Sequence, residues 1–194
     1  MVDAAIDVFA QHGYQGATME EIARRAGVAK GTPYLHFTDK ADLFYAVFEK
    51  WMGEVMASSH QALANARNTR ERLMAMALSA VDFMDTHREW FPLTLEVWSA
   101  SVTPALRDRF ANIMQRMYAG YRSDVAALIR AGQSEGELRK ALNPEAIAAL
   151  LTGAVDGLFL QCWFDPSLDA RKAVKGFFDA LLKGIAIPNQ GDRK

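Results

Sequence analysis

The chain has 194 residues, 51% of them hydrophobic and 10% aromatic, enough to bury one large domain or two small ones and to exclude disorder except at the ends. A net charge of −1 excludes a broadly basic surface, so any nucleic-acid contact has to come from a local patch. The single cysteine, Cys162, excludes an intramolecular disulfide and a cysteine-based zinc site, and it suits a reducing cytoplasm.

Nearly every segment repeats its apolar residues at the helical period, and no alternating run is flanked by hairpin turns, so no sheet is expected. A first helix runs from Val2 to about His12, with Ala5, Ile6, Phe9 and Ala10 on one face and Gly13 as its stop. A second covers about 19–26. Thr18 is its N-cap, Glu21 completes a capping box, and Gly27 ends it. After a turn at 27–29, a short third helix is expected over about 30–36. A long helix then starts near Lys40 behind the N-cap Asp39 and reaches about Ala66, with a stripe from Leu43 and Phe44 to Val55 and Met56. Helices near 70–87, 89–100 and 104–134 follow, with Pro92 and Pro104 marking bends or starts. Residues 131–138 read as a loop or broken turn. Asn143 and Pro144 open the next helix, "DPSLD" at 165–169 separates it from a last helix near 168–187, and residues 188–194 read as a flexible tail.

Two short helices joined by a tight glycine-containing turn form a helix-turn-helix, whose second helix enters the DNA major groove by its N-terminal end. The stretch "AGVAKGTPYLHF", residues 26–37, is built for that. Lys30 offers charge, Gly31 close backbone approach and Thr32 a hydroxyl, while Tyr34 and His36 reach toward phosphates or base edges. Pro33 would cost about 3 kcal/mol in a helix interior. In the first turn it removes only a donor that has no intrahelical partner, so it is read at the groove-facing end. Residues 1–50 carry five basic groups against seven acidic ones, but residues 24–40 carry four against one, so the positive charge is local. The bland alternative is a three-helix subdomain with an accidental turn.

The stretch "AAIDVFAQHGYQGATMEEIARRAGVAKGTPYLHFTDKADLFYAVF", about residues 4–48, resembles the N-terminal domain of the TetR family of transcriptional regulators without a gap. The resemblance implies an all-α homodimer. It implies an N-terminal three-helix helix-turn-helix DNA-binding domain over 1–48 and a larger C-terminal helical domain over 49–187 that binds a small effector and dimerises through its last two long helices. Carried over residue by residue, Thr18, Lys30, Gly31, Thr32, Tyr34, His36 and Lys40 match positions that commonly touch operator DNA, Lys40 as a phosphate contact. Position 33 usually holds leucine, isoleucine or another apolar residue in the family, so Pro33 is expected to seat the recognition helix differently. The chain also begins inside the first helix, without the basic arm that often precedes it.

In the last helix Val174, Phe177, Phe178, Leu181, Leu182 and Ile185 form one stripe. The helix before it carries Ala149, Gly153 and Gly157 at i, i+4 and i+8. Two mid-helix glycines cost roughly 1 kcal/mol each relative to alanine, a cost that a close helix crossing offsets. That crossing lies within one subunit or, with Phe177, Phe178 and Leu181, between two. The middle of the chain concentrates apolar bulk in Phe83, Trp90, Phe91, Leu95, Trp98, Met117, Tyr118 and Tyr121, joined by Phe159 and Trp163. These read as the lining of a pocket for an apolar or aromatic effector or as plain core, with His87, Thr94, Glu96 and Asp156 as its polar groups.

The stretch "AIAALLTGAVDGLFLQCWF", 146–164, nominally meets the length of a membrane span. Asp156 near its centre would cost roughly 2.5–3.5 kcal/mol on insertion, so a buried helix of a soluble, cytoplasmic protein is expected. "MVDAAIDVFA" carries Asp3 and Asp7 where a signal peptide carries basic residues. His12, His36, His60 and His87 are scattered, Cys162 has no nearby base, and no phosphate loop follows a strand, so neither an enzyme, a metal nor a cofactor is expected. The reading is a ligand-responsive DNA-binding regulator, most simply a repressor released from a palindromic operator by a small, largely apolar effector. Its rivals are an effector-independent DNA-binding protein and a helical small-molecule binder with a vestigial helix-turn-helix. Effector, operator and regulated genes are not legible in the sequence.

Overall fold

A computed structural model describes residues 1–88, 90–102 and 107–185, without the side chains of 100–102, 107 and 109. The expected start at Pro104 and the expected tail at 188–194 lie outside the described residues. What is described is helical: α1 Val2–Gly16, α2 Met19–Arg25, a 3-10 turn Thr32–Leu35, α3 Lys40–Leu63, α4 Thr69–Thr86, α5 Trp90–Val102, α6 Arg107–Ser134, α7 Pro144–Phe164 and α8 Ala170–Ile185. No sheet forms among these residues, as the all-α expectation required.

The caps are where the sequence placed them. The Thr18 hydroxyl accepts from Glu21 N at 3.2 Å, the Asp39 carboxylate from Asp42 N at 2.7 Å and the Asn143 side chain from Ala146 N at 3.0 Å. Gly13 does break α1, with φ 67° and ψ 173°, but one more turn re-forms behind it as far as Gly16. α6 runs through Ser134, deeper into the expected loop. It closes when Glu137 N and Leu138 N both reach the Gly132 carbonyl, with Gly136 at φ 78°.

The third helix is shorter than expected. Pro33 has no N–H to return to Ala29, so the chain closes with i to i−3 bonds. Thr32 N bonds Ala29 O at 2.9 Å, Tyr34 N bonds Gly31 O at 3.2 Å and His36 N bonds Pro33 O at 3.1 Å. The four-residue turn therefore has too little length for a helix dipole, and its Thr32 N–H is already paired.

The described residues divide into two compact units. One comprises Met1–Met56 and Thr86–Met117, the other Ala57–Asp85 and the residues from Tyr118 onward. In the first, Phe9, Tyr14, Phe44 and Phe110 form an aromatic cluster with centroids 4.8–6.2 Å apart, and Trp51 bridges Phe48 and Trp90. In the second, Leu73, Met76, Val125, Ile129, Leu151, Phe178 and Leu182 form the core.

α7 departs from the sequence reading. It is long and apolar enough to cross a membrane, yet in this chain only Ala148, Leu151 and Thr152 on it are buried. The helix packs along a narrow strip, which leaves Leu150 76%, Trp163 42% and Phe164 75% exposed. The expectation of a buried helix is corrected accordingly for the single chain.

Candidate nucleic-acid interface and effector site

α2 ends at Arg25. Gly27, at φ 70°, turns the chain, and Val28 N reaches back to Ala23 O at 3.0 Å. The 3-10 turn that follows is held by its inward residues. Pro33 is buried and Phe37 half-buried, while Tyr34, Leu35 and His36 are exposed. The structure thus places Pro33 beneath the turn and not on its outer face, because a proline ring with no donor packs well against apolar neighbours. Gly31 and Lys30 are exposed and Thr32 is half-exposed.

The basic groups of the segment all have acceptors within the chain. Arg24 lies 3.5 Å from Glu21, Arg25 2.8 Å from Asp7, and Lys30 2.7 Å from Glu20. The hydrogen bond to Glu20, with its negative charge, holds the Lys30 ammonium above the usual lysine range. Such exposed pairs are weak and screened by solvent, so a phosphate can compete for them. Lys40 is committed differently. Its ammonium donates to Gln15 O at 3.2 Å and Ala17 O at 2.9 Å and lies 4.7 Å over the Tyr14 ring, tying the start of α3 to the α1–α2 link. Thr18 is exposed, but its hydroxyl caps α2.

The residues read as an effector lining are drawn from both units. His87, Trp90, Phe91, Leu95, Trp98 and Met117 belong to the first unit, and Phe83, Tyr118, Tyr121, Phe159 and Trp163 to the second. Trp90 stacks on Trp51 at 5.8 Å and is core. Two of the suggested polar groups are already used. Thr94 Oγ1 donates to Trp90 O on its own helix, and Glu96 accepts the Tyr14 N–H, filling the kink at Gly13. The sequence held no signal for that pairing, which spans 82 positions.

In the second unit, Tyr121 lines a small apolar pocket with Leu73, Met76, Val125, Val155 and Phe178. Burial, with the nearby Asp156 and Asp124 carboxylates, pushes its phenol up to about 12. Burial also raises the Asp156 pKa, partly offset by a hydrogen bond from Tyr118. A carboxyl whose folded pKa lies above its unfolded value contributes stability below the unfolded pKa and loses it as pH rises through the folded pKa. Asp156→Asn is therefore expected to melt above the wild type at pH 7, with the gap closing toward pH 4 in calorimetry. A gap independent of pH would contradict this.

The N-terminal 47 residues match the family described as bacterial regulatory proteins, tetR family, and residues 69–185 match the C-terminal domain of BetI-type transcriptional repressors. The chain belongs to the TetR family. Over 188 residues it is 25% identical to the fatty acid metabolism regulator protein of Bacillus subtilis, covering 95% of this chain and 93% of that one. It is 30% identical to the BetI regulator of Rhizobium meliloti over 162 residues, 83% of this chain and 75% of that one. Among solved structures, the fatty acid degradation regulator FadR of Bacillus halodurans superposes with a TM-score of 0.75 at 26% identity, covering 93% of this chain and 92% of that one. This TetR-family member is a ligand-responsive DNA-binding transcriptional regulator with an N-terminal helix-turn-helix and a C-terminal helical domain.

Proposed function

We propose that the protein is a cytoplasmic repressor, that it binds a palindromic operator as a homodimer, and that a small, largely apolar effector releases it. Residues 1–48 are the DNA-binding domain and 49–187 the effector and dimerisation domain. The observation that carries the DNA-binding face is the 3-10 turn, anchored by buried Pro33 and presenting Tyr34 and His36 outward, with Lys30, Gly31 and Thr32 at its entry. The relative named for fatty acid metabolism supports an apolar effector and makes a long acyl chain the first class to test. Effector binding then acts through differential affinity for two states of the dimer. Anisotropy on a labelled duplex from the gene's own upstream region tests this. Long-chain acyl thioesters should weaken binding by wild type. Tyr34→Ala should bind less tightly with an unchanged melting temperature, and equal affinity would overturn the assignment of the turn.

Dimerisation through α7 and α8 is supported by what the two glycines lack. Among the described residues, a Cβ added at Gly153 or Gly157 meets nothing within 4 Å, so no crossing between the described helices explains them. Ala149 and Gly153 are exposed, Gly157 and Leu181 half-buried, and Phe177 is 48% exposed beside a groove of about 170 Å3 between α7 and α8. Phe178 is buried in the chain's own core and supports that surface from beneath. Gly153→Leu is therefore expected to leave the subunit fold intact while overpacking the interface by about 1–3 kcal/mol per site. Two-fold symmetry counts this twice, so dimer affinity falls roughly a hundredfold. Light scattering that still reports a dimer at low concentration would remove the strip from the interface.

A further inference from the structure

Leu35 is 80% exposed, more than any other large hydrophobic residue described. Single exposed leucines are ordinary on protein surfaces and need no explanation of their own. Leu35 differs in its place. It closes the 3-10 turn whose inward positions are Pro33 and Phe37, so it stands on the outer side between Tyr34 and His36. That side belongs to the second element of the helix-turn-helix, which presents its residues to the base edges of the major groove. A leucine side chain has neither donor nor acceptor, so it cannot read the hydrogen-bonding pattern there. Base edges in the major groove carry one apolar group, the 5-methyl of thymine.

We propose that Leu35 is a specificity-determining residue that reads a thymine methyl in each operator half-site. The inference rests on the recognition turn being the DNA-contacting face. Its neighbours divide the work by chemistry: Tyr34 and His36 have polar ends for phosphate or base acceptors, and Leu35 has a surface that gains only where water is displaced from another apolar group. Burying one methyl corresponds to about fourfold in affinity, and two half-sites compound to roughly tenfold or more.

The test uses the full-length protein and the tightest duplex selected from a randomised pool. Each thymine is replaced in turn by deoxyuridine, which lacks only the methyl, and affinities are measured at fixed salt for wild type and Leu35→Ala. The expected result is one thymine per half-site whose replacement weakens wild type about fourfold. Leu35→Ala should bind the thymine duplex less tightly and be indifferent to uracil at that position. Its melting temperature should be unchanged, since the side chain is exposed. Wild type binding every deoxyuridine duplex equally, or Leu35→Ala keeping the same sensitivity at every position, overturns the inference and leaves the DNA-binding face standing. No enriched duplex at all overturns both.

Discussion

Phe44→Ala should cost the protein about 3–5 kcal/mol, the range for deleting a buried aromatic side chain and leaving its cavity. Phe44 is 1% exposed and lies 4.8 Å from the Phe9 ring, 4.9 Å from Tyr14 and 5.6 Å from Phe110. With Tyr14, it is shared by the ring contacts that join α1, α3 and α6 within the first unit. No neighbour of similar size can collapse into the space without abandoning another ring. At about 2–4 °C per kcal/mol for a chain of this length, the melting temperature should fall by about 6–20 °C at constant protein concentration. Tyr14 packs on the same ring and sits under Lys40, so DNA binding should fall with it. A loss below 1 kcal/mol in urea denaturation would mean that the cluster does not hold the unit together.

Gly13→Ala is the second large effect, and its causes can be separated. The residue has φ 67° and ψ 173°, a region that is essentially glycine-only and costs other residues about 1–3 kcal/mol. A Cβ there would also come within 2.5 Å of a Glu96 carboxylate oxygen. The displaced carboxylate would lose the Tyr14 N–H, a charge-assisted bond worth about 1.5–3 kcal/mol. Together these give roughly 2.5–6 kcal/mol. Glu96→Ala in the same background removes the collision but not the backbone strain, so the double variant should be more stable than the sum of the single losses. Simple additivity in that cycle would mean that the carboxylate does not pack into the kink.

Much of this was legible because helices advertise their ends. Thr18, Asp39, Asn143 with Pro144, and Gly27 each name a boundary through local hydrogen bonding or backbone freedom, which needs only a few neighbouring residues. The recognition segment was legible as a motif but not in its conformation. Pro33 was correctly confined to a first turn, yet a missing N–H also left the chain with i to i−3 closure and an inward-facing ring. Taken alone, residues 24–40 carry four basic groups against one acid. The acids that offset them, Asp7, Glu20 and Glu21, lie outside that window and return through folding. The aromatic residues of the middle helices carry no label for which unit they join, since core and pocket lining share one composition. Glu96 looked like a pocket group for the same reason, and only the fold shows that it completes Gly13. The strip on α7 is visible in the sequence as small residues, but its exposure is a three-dimensional fact: among the described residues nothing would meet a Cβ added at Gly153 or Gly157.

The central claim is that one ligand-sensitive dimer presents two recognition turns to a two-fold operator. Selection from a randomised duplex pool, with the enriched sequence then titrated with and without long-chain acyl thioester, tests it most directly. The account predicts a palindrome whose half-sites are centred about 34–36 Å apart, bound by two subunits and released by the thioester. Enrichment of a sequence without two-fold symmetry, or affinity unmoved by the thioester, would contradict it.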